Sequence, residues 1–128
     1  MECLNCGEKS EVSHFSNTIF GYICKKKGET QESISEWATK TFGTPTNVEL
    51  IIWRMLMETT ELKERLLDGG AYTKEELAEE LADIFIVGYQ CFTTLGFNAH
   101  MCIDSKMKIN RERKWKLNDD GTGQHVKE

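Results

Sequence analysis

The sequence predicts an all-α protein, a four-helix bundle preceded by a short cysteine-containing extension. A single proline among 128 residues, with abundant Glu, Lys, Leu and Met, favours helix. From about Thr30 onward, apolar residues recur at spacings of three and four, as they do on amphipathic helices. Helix-start and helix-end residues divide this stretch into four segments. We expect one helical domain at residues 29–117, an extension at residues 1–28 and a flexible tail at residues 118–128.

The extension carries a pattern that is typical of a metal-binding hairpin. Cys3-x-x-Cys6 is followed by a strand-like run from Thr18 to Cys24, and the whole resembles a small zinc ribbon in which Lys27 stands in place of a fourth cysteine. Structural zinc normally takes four protein ligands. One hypothesis is a Zn²⁺ site that supports nucleic-acid contact, and the others are a degenerate ribbon and a hairpin with a packing role. The candidate ligands are Cys3, Cys6, Cys24 and, at a non-standard spacing, His14.

Helices one and two have starts and ends that the sequence specifies. Helix one is predicted from Thr30 to Gly43, because glycine can take the conformation that closes a helix. Its Trp37 lies on the apolar side, where it is either a core residue or a flat wall on which a nucleobase stacks. Helix two is predicted to begin at Thr46, in a capping box with the Glu three residues on. It should continue to about Asp68.

Helices three and four follow the same logic. Helix three opens at Thr73 with a second capping box and ends near Gly96, and helix four is capped by Asn98 and continues through Trp115. After Ile84, helix three is apolar on nearly all sides, which is typical of a helix in a core or a subunit interface. Because a bundle of this size is too small to cover both faces, we expect the chain to form a homo-oligomer.

Two pairs of acids lie within helices two and three. Glu58 and Glu61 form the first pair, and Glu80 and Asp83 form the second. Residues three apart lie on the same side of a helix, so two such helices packed face to face would bring four carboxylates together. A hard divalent cation usually relieves such repulsion, and oxygen ligands favour Mg²⁺ or Mn²⁺. The alternative is that these acids lie on solvated helix faces.

The charges are unevenly distributed along the chain. The net charge of −5 argues against general nucleic-acid binding. Acids outnumber bases ten to four between residues 49 and 83, whereas six cations lie within residues 106–116. Among the latter, Lys106 and Arg113 share a helix face with Asn110 and can hold phosphate oxygens. A metal-bound polyphosphate needs both regions. The alternatives for this helix are an ordinary charged helix and a nucleic-acid-binding helix.

The sequence indicates a soluble, cytoplasmic protein with no membrane partner. The chain has no run of roughly 18 apolar residues, and its N-terminus lacks the pattern of a signal peptide. Five cysteines, an odd number, argue against a disulfide framework.

The ordered acidic and basic motifs resemble those of the all-α nucleoside triphosphate pyrophosphohydrolases of the MazG type. The resemblance covers about Thr30 to Trp115. One departure is Met57, which stands where the family's first motif often has another acid. The segment Gly121 to Val126 also looks like the ending of a bacterial and phage branch that acts on dATP or dGTP. The motifs in this chain are Glu58-x-x-Glu61, Glu80-x-x-Asp83 and Lys106-x-x-x-Asn110-x-x-Arg113-x-Trp115.

This resemblance implies that a (deoxy)nucleoside triphosphate and water give the monophosphate and pyrophosphate. It implies a four-helix bundle that dimerises, often as a dimer of dimers, with active sites near subunit interfaces. The four acids would hold two or three Mg²⁺ ions, and the residues of helix four, Lys106, Asn110 and Arg113, would contact phosphates or sugar.

Two assignments remain open within this interpretation. The motif does not select the acid that accepts the proton of water. We choose Glu61 for its place inside the cluster, with Glu58 as the other candidate. Trp37 and Trp53 are both candidates for base stacking. The alternative function is a non-enzymatic helical module that binds a protein partner through helix three.

Overall fold

A computed structural model describes residues 15–18, 21–24 and 28–127 of the chain, the first two segments as backbone. The predicted all-α, four-helix architecture is confirmed, with α3 in contact with each of the other helices. The helices are α1 (Gln31–Phe42), α2 (Val48–Leu66), α3 (Lys74–Leu95) and α4 (Ala99–Glu112). Two antiparallel strand pairs flank them, β1 (Phe15–Thr18) with β2 (Gly21–Cys24) and β3 (Trp115–Leu117) with β4 (Gly123–His125).

Most of the predicted helix ends are confirmed. The hydroxyl of Thr30 accepts a hydrogen bond from the Ser33 backbone N–H, and the Ser33 hydroxyl accepts one from the Thr30 N–H. Thr73 and Glu76 form the same reciprocal pair at the start of α3. Gly96 ends α3 at φ 83°, a conformation that favours glycine because it has no Cβ. These local contacts define where the bundle's helices begin and end.

The predicted start of α2 is wrong by one residue. Asn47, not Thr46, is the N-cap, and its side-chain oxygen accepts a hydrogen bond of 3.1 Å from the Leu50 N–H. Glu49 therefore lies in the first turn and does not complete a capping box. Asparagine is at least as good an N-cap as threonine, so the helix begins one residue later than predicted.

The C-terminal segment also differs from the expectation. Helix α4 ends at Glu112 rather than Trp115, and the segment expected to be a flexible tail contains β4. The Trp115 indole N–H donates to the Asn110 carbonyl over 2.9 Å. The turn between the strands is closed by a 3.0 Å bond from the Asn118 N–H to the Thr122 carbonyl. Polar turn residues that suggested a tail instead form the connection of a hairpin.

The core of one chain is small. Among residues 28–127 the buried apolar residues are Ala38, Val87, Cys91 and Ala99. On α3, Leu81 and Leu95 are about half exposed, whereas Val87 and Cys91 are buried. Within the described residues, no helix is both long and apolar enough to cross a bilayer. A single chain therefore leaves much apolar surface uncovered.

One side chain joins three helices. The Gln31 amide oxygen accepts a 2.7 Å hydrogen bond from the backbone N–H of Ala99, a residue that is 1% exposed. The Gln31 amide nitrogen donates to the Phe97 carbonyl over 2.8 Å and to the Thr93 hydroxyl over 3.0 Å. Gln31 thus ties the start of α1 to the corner between α3 and α4.

Gln31→Ala should reduce the free energy of unfolding by about 1–3 kcal/mol, because it leaves the buried Ala99 N–H without its partner. The measurement is chemical denaturation followed by circular dichroism. Gln124→Ala, on the exposed strand β4, is the matched control and should change the free energy by less than about 0.5 kcal/mol. If both substitutions reduced the free energy of unfolding equally, the proposed stabilising role of Gln31 would be contradicted.

Candidate active site

Three of the four predicted carboxylates lie together between α2 and α3. One oxygen from each of Glu58, Glu61 and Glu80 can be chosen such that all three atoms lie within 4.8 Å of one another. The i, i+3 spacing places Glu58 and Glu61 on one side of α2, and the packing of α3 against α2 brings Glu80 to them. Asp83, one turn further along α3, lies close enough to disfavour ionisation of Glu58.

Glu58 is the enclosed member of this carboxylate cluster. It is 5% exposed, although most of the polar side chains around it reach water. Burial raises the pKa of the Glu58 carboxyl, as do a hydrogen bond to Glu61 and the nearby charges of Glu61 and Asp83. The Arg54 guanidinium, at 2.7 Å from a Glu58 oxygen, lowers that pKa but does not cancel the rise. The site thus favours a proton, or another cation, on Glu58.

A second arginine lies at the other side of the cluster. Arg65, near the end of α2, approaches Glu76 at 3.7 Å and Glu80 at 3.9 Å, both on α3. These long, half-exposed pairs are weak. Glu61, Arg65 and Glu80 line an open cavity of about 500 Å³, which we call the acidic cavity.

A larger cavity of about 700 Å³ lies beside Glu58, between α1, α2 and α3. Its walls are mainly apolar, and we call it the apolar cavity. Glu58, Asp83 and Arg54 line this cavity, and so do Trp37 and Phe42 of α1. The two aromatic rings meet edge to face, with centroids 5.5 Å apart. The carboxylate cluster therefore lies between the apolar cavity and the acidic cavity, which is open to solvent.

The cluster has the chemistry of a site for a hard divalent cation. All its donors are carboxylate oxygens, which suit Mg²⁺ and Mn²⁺. At metal–oxygen distances of about 2.1 Å, oxygens on one Mg²⁺ ion lie roughly 3–4 Å apart. Three carboxylate oxygens that all lie within 4.8 Å of one another are close to that spacing. An enclosed carboxylate whose ionisation is disfavoured is the kind of ligand that a cation stabilises.

The other predicted site residues have different positions. Trp37 is 52% exposed and lines the apolar cavity, whereas Trp53 is 64% exposed and lines neither cavity. Within the described part of this chain, the three candidates on α4 and its C-cap also line neither cavity. Cys3, Cys6 and the side chain of Cys24, the candidate Zn²⁺ ligands, lie outside the described residues, as does His14. The α4 residues are Lys106, Asn110 and Arg113.

Sequence reasoning missed both arginines. The signal for Arg54 was present, since it precedes Glu58 by four residues and so lies on the same side of α2. Arg65 has no comparable signal, because its acidic partners are on the next helix and only tertiary packing brings them close. The apolar cavity was also missed, for the same reason.

Glu58→Gln should stabilise the metal-free protein at pH 8. The folded chain holds the Glu58 proton above the ordinary pKa of 4.5, so the wild type loses stability as pH rises from about 4.5 through the raised pKa. Glutamine does not titrate, so the advantage of the variant should disappear at pH 4. Thermal denaturation with a chelator measures both. Mn²⁺ should raise the melting temperature of the wild type more than that of the variant. A metal-free variant less stable than wild type at pH 8 would contradict this account.

Two comparisons with known proteins bear on this site, and no model of a protein family matches the chain. A dATP/dGTP diphosphohydrolase of Salmonella phage PMBT28 is 34% identical over 98 residues, which are 77% of this chain and 31% of that protein. The chain thus spans about a third of that relative's length. A solved structure is also similar, the cyanophage S-2L MazG-like pyrophosphohydrolase bound to dGDP and three catalytic Mn²⁺ ions per active site. It has a TM-score of 0.59 and 26% identity, over 77% of this chain and 90% of that one. The four helices, the paired acids and these two similarities support the predicted resemblance of the chain to the MazG-type pyrophosphohydrolases.

Proposed function

We propose that this protein hydrolyses a purine deoxynucleoside triphosphate to the monophosphate and pyrophosphate, with Mg²⁺ or Mn²⁺ as cofactor. One observation carries the proposal, a carboxylate cluster that opens onto an apolar cavity of about 700 Å³. The names of the two similar proteins support it, since one is a dATP/dGTP diphosphohydrolase and the other a Mn²⁺-bound pyrophosphohydrolase. Such a substrate would place the reaction in the cytoplasm.

In this proposal the acids bind the metal ions, and one of them also accepts a proton. Glu58, Glu61, Glu80 and Asp83 would hold divalent ions, which lower the pKa of a bound water and neutralise charge on the phosphates. Glu61 was chosen for a place inside the cluster but lies at its solvent-exposed side, where it would accept the proton of the attacking water. Glu58 is enclosed and paired with Arg54, which suits a ligand better than a base that must exchange protons with water.

The nucleoside would occupy the apolar cavity. Its α-phosphate would then lie beside Glu58 and Asp83, and the leaving pyrophosphate would extend toward the acidic cavity. The half-exposed face of Trp37 would stack on the base, a contact typically worth about 1–3 kcal/mol. We do not assign this role to Trp53, which lines neither cavity.

We also propose that the active protein is a homo-oligomer, with a dimer as its unit. Large apolar side chains lie exposed on α2 and α3, Trp53 at 64% and Phe85 at 68% among them. Exposed apolar surface on this scale is typical of an interaction site. In a dimer, Lys106, Asn110 and Arg113 of one chain could contact phosphates bound by its partner, which would explain why they line neither cavity in one chain.

Glu80→Gln should reduce metal-dependent pyrophosphate release by roughly a hundredfold or more, because it removes one charge from the set that holds the ions. Release is measured from the eight common nucleoside triphosphates, with Mg²⁺ or Mn²⁺. Glu79→Gln, on the exposed side of the same helix, is the matched control and should keep the parent rate.

If Glu80→Gln hydrolyses nucleotides as fast as the control, the metal-site assignment is wrong. If the wild type releases no pyrophosphate and no nucleotide with Mn²⁺ shifts its melting temperature, the alternative gains support. In that case the protein is an interaction module, and the exposed Phe85 on α3 marks its binding face.

Phe85→Glu should convert the dimer to a monomer, because it places a charge within an apolar interface. Sedimentation velocity measures the mass. Ser105→Glu adds the same charge at an exposed polar position of α4 and should leave the dimer intact. A wild type that is monomeric at micromolar concentration would contradict the oligomer proposal.

A further inference from the structure

We propose that Gln90 on α3 reads the hydrogen-bonding edge of the purine base. This inference rests on the proposed function, which places the nucleoside in the apolar cavity. It adds a specificity-determining residue that neither the acidic motifs nor the basic helix supplies.

Gln90 lies on the wall of the apolar cavity at a suitable distance from the acids. Asp83, Val87, Gln90 and Thr94 recur at spacings of three and four, and all line that cavity. Gln90 follows Asp83 by seven residues, about 10.5 Å along the helix axis. That length is comparable with the distance from the α-phosphate of a nucleotide to the outer edge of its base. A nucleotide with its phosphate at Asp83 would therefore present its base near Gln90.

The side-chain amide of Gln90 is available for a ligand. The hydroxyls of Ser35 and Thr93 bond to each other over 2.6 Å, and that of Thr94 donates to the Gln90 backbone carbonyl over 2.8 Å. Arg54 is paired with Glu58. Within residues 28–127, by contrast, the structure gives the half-buried Gln90 amide no partner of its own. A polar group in this position gains by pairing with a bound molecule.

The chemistry of an amide fits both purines. Its oxygen accepts hydrogen bonds, its nitrogen donates them, and rotation exchanges their positions. Adenine offers a donor at N6 beside an acceptor at N7, whereas guanine offers acceptors at O6 and N7 and a donor at N2. Glutamine can therefore pair with either base while Trp37 supports the ring. A carboxylate only accepts, so it would distinguish the two bases.

The test compares kcat/KM for dATP, dGTP, dCTP and dTTP between wild type and Gln90→Glu. The wild type should prefer both purines. The variant should change the ratio of dATP to dGTP by on the order of tenfold, toward dATP if N6 and N7 face the residue and toward dGTP if N2 does. Affinities for dAMP and dGMP, measured by calorimetry, should change in the same direction. Gln124→Glu, with the same charge change on β4, should leave the ratio unaltered.

Methionine has nearly the same size as glutamine but no hydrogen-bonding amide. Gln90→Met therefore tests the role of Gln90 if the charged variant does not fold. It should lower the preference for purines over pyrimidines by on the order of tenfold. An active Gln90→Glu enzyme with the parent ratio overturns the role of Gln90 and leaves the proposed function standing. A wild type that hydrolyses only pyrimidine nucleotides overturns it too. A wild type that hydrolyses no nucleotide overturns the proposed function and this inference together.

Discussion

The main constraint in this structure is the Glu58 carboxylate, which the protein encloses almost completely. Glu58 is 5% exposed, lies beside Glu61 and Glu80, and has its ionisation opposed by Asp83 as well. Isolating a charge in this way is unfavourable unless a cation balances it. Arg54 supplies part of that balance through a 2.7 Å ion pair. A divalent ion would supply more, because it interacts with all the acids at once.

The helix α3 has several roles around this enclosed carboxylate. The helix packs against α1 and α2, contributes Glu80 and Asp83 to the acidic site, and forms one wall of the apolar cavity. A helix with so many roles cannot also bury its whole apolar surface within one small chain. Its exposed residues, among them Phe85, would form part of the proposed subunit interface. The site and the proposed dimer therefore depend on the same element.

Local signals in the sequence predicted much of this arrangement. The helix starts at Thr30 and Thr73 and the capping box at Thr73 were predicted, and the structure has a capping box at both starts. The paired acids could be assigned to one side of their helices by their i, i+3 spacing. The start of α2 was predicted less well, because two adjacent good N-caps compete and Asn47 prevails. The C-terminal hairpin was missed because its turn residues are equally typical of a tail.

Features that arise from tertiary packing could not be predicted. The contact of Arg65 with Glu76 and Glu80 crosses a loop, and the apolar cavity exists only because three helices leave a gap between them. That the Gln90 amide has no partner within residues 28–127 is visible only once its neighbours are known to bond elsewhere. Base specificity in the proposed reaction would depend on such residues, so the motifs indicate a reaction class but not a base preference.

The central claim is that the enclosed acids form a divalent cation site. Anomalous diffraction from crystals soaked in Mn²⁺ tests it most directly, because Mn²⁺ scatters anomalously and its position is read without reference to activity. The account predicts anomalous peaks within coordination distance of Glu58, Glu61 and Glu80. The absence of peaks there, or peaks only elsewhere on the protein surface, would contradict it.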